Sequence, residues 1–200
     1  MDRATMSGRP TEVLPPRARS AYVHIERDVT LRDGKVGRLR LLCERDADAL
    51  HKMFSTLSAA ARQFLYDDVT NSSIVRKWTT EIDYSSILPL VVEVERKIVA
   101  DATLHRRRSG PMRHVGRIRA VVHDDWHGKG IGTILAQALI EEARSERLKL
   151  VTTTLAEFDE GDAVEAMKAL GFRRVAILPD FMIDPEGKLH AMTVLSMKLE

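Results

Sequence analysis

The sequence predicts a mixed α/β domain, because strand-like and helix-like hydrophobic patterns alternate along most of its length. Its 200 residues suit one compact domain, and 44% hydrophobic residues are enough to form a core. A single cysteine, Cys43, excludes a disulfide scaffold, and the formal net charge of +2 does not indicate a nucleic-acid partner. The longest apolar runs are too short to cross a membrane, so we expect a cytoplasmic protein without a membrane partner.

The first 20 residues differ from the rest. Met1 to Ser20 contain three prolines and four arginines, but only Val13 and Leu14 as sizeable aliphatic side chains. Such a segment cannot bury enough apolar surface to offset the entropy lost on ordering. We therefore expect a flexible tail over residues 1–20 and a folded domain over residues 21–200.

A hairpin and two helices open the predicted domain. Apolar and polar residues alternate from Tyr22 to Arg32, and Asp33-Gly34 supplies the left-handed positions of a tight turn. The return strand passes through Leu39–Leu41. Apolar residues then recur at helical spacing over residues 50–57 and 74–82.

The second half alternates strands with helices. Hydrophobic patterning predicts strands over Leu88–Glu95, Ile98–Leu104, Arg117–His123, Leu148–Leu155, Phe172–Leu178 and Met192–Leu199. The same patterning predicts helices over residues 131–143 and over Ala163–Leu170. Gly171 follows the second helix and suits a left-handed C-cap.

The most informative stretch is the glycine-rich turn between a predicted strand and a predicted helix. It reads Val122-His123-Asp124-Asp125-Trp126-His127-Gly128-Lys129-Gly130-Ile131-Gly132. Glycines let the backbone approach a ligand, and the unpaired N–H groups of a helix start suit a phosphate or pyrophosphate. The spacing matches neither the Walker P-loop nor the Rossmann fingerprint, and a tight turn without a ligand is the simpler alternative.

This stretch resembles the signature of the GNAT superfamily of acetyl-CoA-dependent N-acetyltransferases. It matches the family pattern (Gln/Arg)-x-x-Gly-x-(Gly/Ala) from His127 onward, except that histidine holds the first place. Ala163–Leu170 with Gly171-Phe172 is similar to the family's late helix and its ending. The order of elements also fits from Lys35 to Glu200, about four-fifths of the chain.

The resemblance implies a mostly antiparallel central sheet flanked by helices. It also implies an acyltransferase that moves an acetyl group from acetyl-CoA, its co-substrate, to a primary amine. Leu31-Arg32-Asp33-Gly34 and Asp101–His105 are similar to segments of bacterial protein-lysine acetyltransferases, so a protein lysine is the first acceptor to consider.

The family's pattern also implies where the cofactor binds. The backbone of Ala120, Val121 and Val122 would hold the pantetheine arm of acetyl-CoA. The pyrophosphate would bind the turn formed by His127, Gly128, Lys129, Gly130, Ile131, Gly132 and Thr133. Lys129 or the basic loop at Arg106–Arg108 could add charge near a CoA phosphate, and that loop could instead face an acidic acceptor or solvent.

The catalytic groups common in the family are replaced here. Met167 stands where many members have a tyrosine that protonates the leaving thiolate, and Arg117 stands where many have a glutamate base. Neither side chain can do that chemistry at neutral pH. Glu157, Asp101 and His105 are the candidate substitutes, although each suits a purely structural or solvated role as well.

These replacements leave a second hypothesis open, an acyl-CoA-binding regulatory module without turnover. His123 and His127 have the spacing of a metal-binding pair, but no third ligand is evident and we expect no metal site. The sequence does not decide the acceptor, the acyl chain, or whether the chain forms homo-oligomers.

Overall fold

The computed structural model describes residues 22–63, 65, 67–156 and 161–200. The expected flexible tail lies outside this range. The described strands are β1 (Arg27–Thr30), β2 (Val36–Leu41), β3 (Ile87–Val94), β4 (Lys97–His105), β5 (Val115–Val122), β6 (Leu150–Ala156), β7 (Arg173–Ile183) and β8 (Leu189–Lys198). The described α-helices are α1 (Ala47–Ser55), α2 (Ala59–Arg62), α3 (Ser72–Thr80), α4 (Ile131–Ser145) and α5 (Gly161–Ala169).

All eight strands join one sheet in the order β1-β2-β3-β4-β5-β6-β8-β7. Every neighbouring pair is antiparallel except β5 and β6, which run parallel with α4 between them in sequence. The expected mixed α/β fold with a mostly antiparallel sheet flanked by helices is therefore confirmed.

Two apolar clusters lie on opposite faces of the sheet. The larger one joins β1–β6 to α4, where the predicted helical stripe of Ile131, Leu135, Leu139 and Ala143 is buried. The smaller one lies under α1 and α3 and includes Val91 of β3 and Ile98 of β4. None of the described helices is long and apolar enough to cross a membrane. The sheet is thus the middle layer, and the β5–α4 connection lies at one of its ends.

Local sequence signals explain several boundaries. Asn71 caps α3 by accepting a hydrogen bond from the Ser73 N–H at 3.0 Å. Gly171 adopts φ 102° directly after the last turn of α5, as expected of a left-handed C-cap. Cys43 is buried, and burial raises the pKa of its thiol to about 11, which makes it a structural residue.

The segment before β1 differs from its prediction. Val23–Ile25 form a 3-10 turn instead of extending the strand. Ile25 is buried in the larger cluster, and the side chain of His24 contacts Glu142 of α4. Docking against α4 thus overrides the period-two pattern, which otherwise predicts a strand here. The patterning also missed α2 and placed the end of β7 and the start of β8 too far from their connecting turn.

Because α4 fixes the glycine-rich turn relative to the sheet, loss of its packing should destabilise the whole domain. Leu139 is 0% exposed, so Leu139→Ala leaves a cavity and should lower the free energy of unfolding by about 3 kcal/mol. Urea denaturation measures this change. The exposed Gln137 on the same helix is the control, since Gln137→Ala should stay within about 0.5 kcal/mol of wild type. Equal losses in both variants would contradict the packing described here.

Candidate active site

The parallel strands β5 and β6 pair over a short stretch and then separate. Residues 115–117 lie opposite residues 150–152, whereas β5 stays paired with β4 as far as Val122. Beyond Thr152, β6 continues as a partner of β8 as far as Ala156. The two strands thus form a V, with its vertex at Arg117 and Thr152. We call the space beyond that vertex the β5–β6 gap.

The backbone of β5 presents polar groups to this gap. The His123 N–H donates to the Val99 carbonyl at 2.9 Å on the β4 side, whereas the Gly116 carbonyl accepts from Thr152 Oγ1 at 3.3 Å on the β6 side. Successive peptide groups of a strand point in opposite directions within the sheet. Beyond the last pair, the even-numbered residues Ala120 and Val122 therefore turn their N–H and C=O groups toward the gap.

The glycine-rich turn begins where β5 ends. Gly128 and Gly130 have φ of 74° and 83°, a left-handed region in which a side chain is strained. The first helical hydrogen bond runs from the Ile134 N–H to the Gly130 carbonyl at 3.1 Å. The N–H groups of Ile131, Gly132 and Thr133 precede it and have no acceptor within α4. Together with the positive end of the helix dipole, they can bind an anion.

His127 links this turn to β5. Its Nε2–H donates to the Val122 carbonyl at 2.9 Å, so the imidazole occupies one of the polar groups that face the gap. His123 has a different contact, since its Nε2 lies 3.2 Å from Thr56 Oγ1 at the end of α1. The two histidines therefore bind separate parts of the chain.

The turn between β1 and β2, residues 31–35, packs directly against the glycine-rich turn. The Arg32 N–H donates to the Lys129 carbonyl at 3.1 Å. A Cβ built on Gly130 would lie 3.4 Å from both Cγ and Nε of Arg32, so this side chain crosses the glycine. Lys129 Nζ lies 3.3 Å from Asp33 Oδ2 and 4.2 Å from the ring centre of Trp126. Two segments about a hundred residues apart in sequence thus build one end of the site.

These contacts show that Lys129, expected to supply positive charge near a phosphate, is already paired with a carboxylate. The charge of Lys129 is offset by Asp33, and the charge of Lys35 is offset by Glu95 at 3.0 Å. Arg32 is exposed and has no carboxylate partner within the described residues. Sequence reasoning missed Arg32 as a site residue, because the Asp33-Gly34 signal indicates only a hairpin turn and not its tertiary neighbour.

The basic loop lies elsewhere, contrary to one of its expected roles. It connects β4 to β5 and meets β5 at Val115, about 25 Å along the strand from the glycine-rich turn. Arg106 is only 5% exposed and donates to the Tyr84 carbonyl at 2.5 Å and to the Glu146 carboxylate. Its charge ties the sheet to α4 and does not reach the turn, because the loop occupies the opposite end of β5.

Asp101 lies on β4 with apolar neighbours on both sides. It is in register with Val91 of β3 and Val121 of β5, two residues of the smaller apolar cluster. No hydrogen bond or ion pair to its carboxylate occurs within the described residues. Burial without a compensating partner raises the pKa of Asp101 to about 7. The group can therefore exchange a proton near neutral pH.

His105 shares a face of β4 with Asp101, as predicted, but its chemistry differs. Its Nε2 lies 3.0 Å from Thr103 Oγ1. Burial, and then the positive charges of Arg119 and Arg117, lower the pKa of His105 to about 4. The imidazole is neutral at pH 7, and its lowered pKa makes it a weaker base than the Asp101 carboxylate.

Two further expectations concern α5 and the segment before it. Glu157 lies outside the described residues. Met167 of α5 packs against the larger apolar cluster, and its carbonyl accepts a hydrogen bond from the Phe172 N–H at 3.1 Å. A thioether has no proton to donate, so Met167 contributes packing at this position.

The segment between α1 and α2 is hydrogen-bonded to the β5–α4 connection. Asp124 accepts hydrogen bonds from the Ser58 N–H at 2.8 Å and from Ser58 Oγ at 2.9 Å. Desolvation alone would raise the pKa of Asp124, but these hydrogen bonds outweigh it and the pKa lies below its ordinary value. The carboxylate is therefore charged at neutral pH, and it holds this segment beside the β5–α4 connection.

Comparison with family models identifies this arrangement. Residues 49–172 match the model of the acetyltransferase (GNAT) family, a span that includes β3–β6, the glycine-rich turn and α4. More than half of the chain lies within the match. The β1–β2 turn that packs on Gly130 lies before it.

Solved structures of acetyltransferases share the fold. The GNAT domain of PAT from S. lividans has a TM-score of 0.72 at 18% identity, covering 88% of this chain and 98% of that one. Ribosomal-protein-alanine N-acetyltransferase from Brucella melitensis has a TM-score of 0.69 at 21% identity, covering 80% and 99%. The yncA protein of Salmonella typhimurium, solved with its cofactor acetyl-CoA, has a TM-score of 0.70 at 20% identity, covering 82% and 94%. Likeness at this level of identity establishes a common fold.

Proposed function

The chain belongs to the GNAT family of acetyltransferases, and we propose that it acetylates a primary amine, with a protein lysine as the first acceptor to test. It is thus an acyltransferase whose co-substrate is acetyl-CoA. The proposal rests on the way in which the β5 edge continues into the start of α4. The open backbone edge of β5 leads from the vertex of the V to the anion-binding start of α4.

The residues of this edge and turn fit acetyl-CoA. The N–H groups of Ile131, Gly132 and Thr133 would hold the pyrophosphate, and Gly128, where a built Cβ meets no atom within 4 Å, leaves room for it to approach. The backbone of Ala120 and Val122 would hydrogen-bond the pantetheine arm along the gap. When bound, acetyl-CoA supplies the acetyl thioester.

The overall reaction sets what the protein must do with protons. The acetyl C–S bond breaks and an N–C bond forms, while the amine loses one proton and the sulfur gains one. A lysine amine has a pKa of about 10.4 and is mostly protonated at pH 7. A base on the acceptor side therefore assists the reaction.

We assign the base to Asp101 as part of this proposal. Its carboxylate is uncommitted within the described residues, and it lies opposite Val121, next to the residues that border the gap. Because β5 lies between Asp101 and the gap, and Asp101 is four residues along the sheet from the vertex, the proton would pass through a chain of water molecules. A carboxylate that is half-ionised near neutral pH can both accept that proton and release it to solvent.

Calorimetric titration with acetyl-CoA, followed by a free-thiol release assay over lysine-bearing proteins and small amines, tests the proposed function. Binding with thiol release supports an acetyltransferase and identifies its acceptor. Binding without release on any acceptor would favour the regulatory module. No binding would contradict the cofactor site.

Gly130→Asp should weaken acetyl-CoA binding by about 100-fold or more, because the new carboxylate would lie against Arg32, offset its charge and add negative charge beside the pyrophosphate. Calorimetry measures the affinity. Gly187→Asp is the matched control, since Gly187 has φ of 84° in the β7–β8 turn and no atom within 4 Å of a built Cβ. The control carries the same backbone strain and charge, so an equal loss in both variants would refute the site.

Arg32→Gln should weaken acetyl-CoA binding by about tenfold, the worth of one charge-assisted hydrogen bond to a phosphate. Arg144→Gln makes the same charge change at the far end of α4, about 20 Å away, and should leave the affinity unchanged. Calorimetry at low salt measures both variants. An unchanged affinity for Arg32→Gln would remove Arg32 from the cofactor site.

Asp101→Asn should lower kcat by about 100-fold while leaving acetyl-CoA affinity unchanged. In the wild type, kcat should rise with pH through about 7 as the carboxylate ionises. In the variant this rise of kcat with pH should be absent, because the amide of asparagine does not titrate. The pH-rate profile of thiol release is the measurement, and a rise that persists in the variant would exclude Asp101 as the base.

Thermal denaturation gives an independent check on the same group. A pKa raised from 3.8 to about 7 means that the folded protein binds this proton more tightly than the unfolded chain. The contribution of this proton to the free energy of unfolding is fully present below pH 4 and is lost as the pH rises to about 7. The Tm of Asp101→Asn relative to wild type should therefore increase from pH 4 to pH 8.

A further inference from the structure

The sheet carries a polar face beside the vertex of the V, made by Thr103, His105, Arg117, Arg119 and Thr152. His105 is in register with Arg117, and Arg117 with Thr152, so these side chains project from the same side of the sheet. Thr103 is in register with Arg119 in the next row. All five side chains are exposed or partly exposed.

This face is the approach open to an acceptor. The larger apolar cluster and α4 cover the opposite side, where a Cβ on Gly116 would meet Leu104, Leu148 and Val151. On the polar side, the smaller cluster under α1 and α3 reaches Val121 and includes no residue of β6. An acetyl group carried along the β5 edge toward the vertex would therefore meet its acceptor over this face.

The polar face is positively charged where the amine must approach. Arg117 is exposed and has no carboxylate partner within the described residues. Arg119 lies two residues along the same strand, and both lie close enough to His105 to disfavour its protonation. Asp101 lies on the same side of β4, four residues from the vertex row and about 13 Å along the strand.

We propose that Arg117 recognises an anionic group next to the acceptor amine, so that the acceptor is an amine accompanied by a carboxylate. This inference rests on the proposed function. A bare ammonium ion would be repelled by Arg117, whereas an adjacent carboxylate accepts hydrogen bonds from the guanidinium and offsets that repulsion. The carboxylate can belong to an acidic residue beside a protein lysine or to a free amino acid.

Thiol release with matched acceptors tests the inference. Peptides with one central lysine flanked by aspartate, asparagine or arginine differ only in the neighbouring charge. Free lysine and lysine amide form the corresponding small-molecule pair, so the two arms distinguish the sources of the carboxylate. In at least one arm, wild type should favour the carboxylate-bearing acceptor by about tenfold in kcat/KM.

Variants of Arg117 identify the residue responsible. Arg117→Gln should bring the preference close to one, Arg117→Lys should keep most of it, and Arg117→Glu should favour the arginine-flanked peptide. Acetyl-CoA affinity, measured by calorimetry, should be unchanged in all three and shows that they are folded. Arg144→Gln is the charge-matched control on the opposite layer and should retain the wild-type preference.

Several outcomes would overturn the inference. Wild-type turnover without a preference for the carboxylate in either arm, or a preference that survives in Arg117→Gln, contradicts this role of Arg117 and leaves the acetyltransferase proposal standing. Bound acetyl-CoA without thiol release on any acceptor overturns the proposed function and this inference with it.

Discussion

The short pairing of β5 with β6 determines the layout of this molecule. Three residue pairs hold the two strands together, and the last of them is Arg117 with Thr152. Beyond that pair, β5 stays paired with β4 and β6 stays paired with β8. A backbone edge in the middle of a sheet is normally satisfied by its neighbour. Here β5 has no paired strand on the β6 side beyond Arg117, and the glycine-rich turn, the polar face and Asp101 are all placed by reference to this edge.

The glycine-rich turn is constrained from two directions. Its backbone needs left-handed φ values at Gly128 and Gly130 to turn from strand to helix. Its outer surface is covered by the β1–β2 turn, which supplies Arg32 and pairs Asp33 with Lys129. A lysine inside a glycine-rich loop suggests a phosphate ligand, but here its partner is a carboxylate. Arg32, which comes from a different hairpin, has no carboxylate partner among the described residues and can meet an anion.

Much of this arrangement could be predicted from local sequence. The stripe from Ile131 to Ala143 and the glycine spacing depend on nearest neighbours along the chain, and both appear where predicted. The role of Arg32 could not be predicted, because it depends on a contact between residues far apart in sequence. The raised pKa of Asp101 also follows from neighbours on two other strands, Val91 and Val121. The turn at Val23–Ile25 was wrongly predicted because its alternation fits a strand, whereas its buried side chain packs on a helix.

Acid and basic groups are also separated along the sheet. Arg106 and its loop mark one end of β5, and the turn with Arg32 and Lys129 marks the other. Between them lie the neutral His105 and the partly ionised Asp101. The gap itself therefore has its anion-binding groups at the glycine-rich end, since Arg106 is paired with Glu146 beyond the vertex.

The contact of Arg32 with Gly130 has a practical consequence for anyone who shortens this protein. The span that matches the family begins at residue 49, so a fragment cut to that span would keep the glycines of the turn and lose the hairpin that packs on Gly130. An insertion in the β1–β2 turn would likewise shift Arg32 and Asp33 away from Lys129 without altering a residue of the signature. Intact glycines in a relative whose hairpin is shorter or absent therefore do not by themselves indicate an equivalent cofactor site.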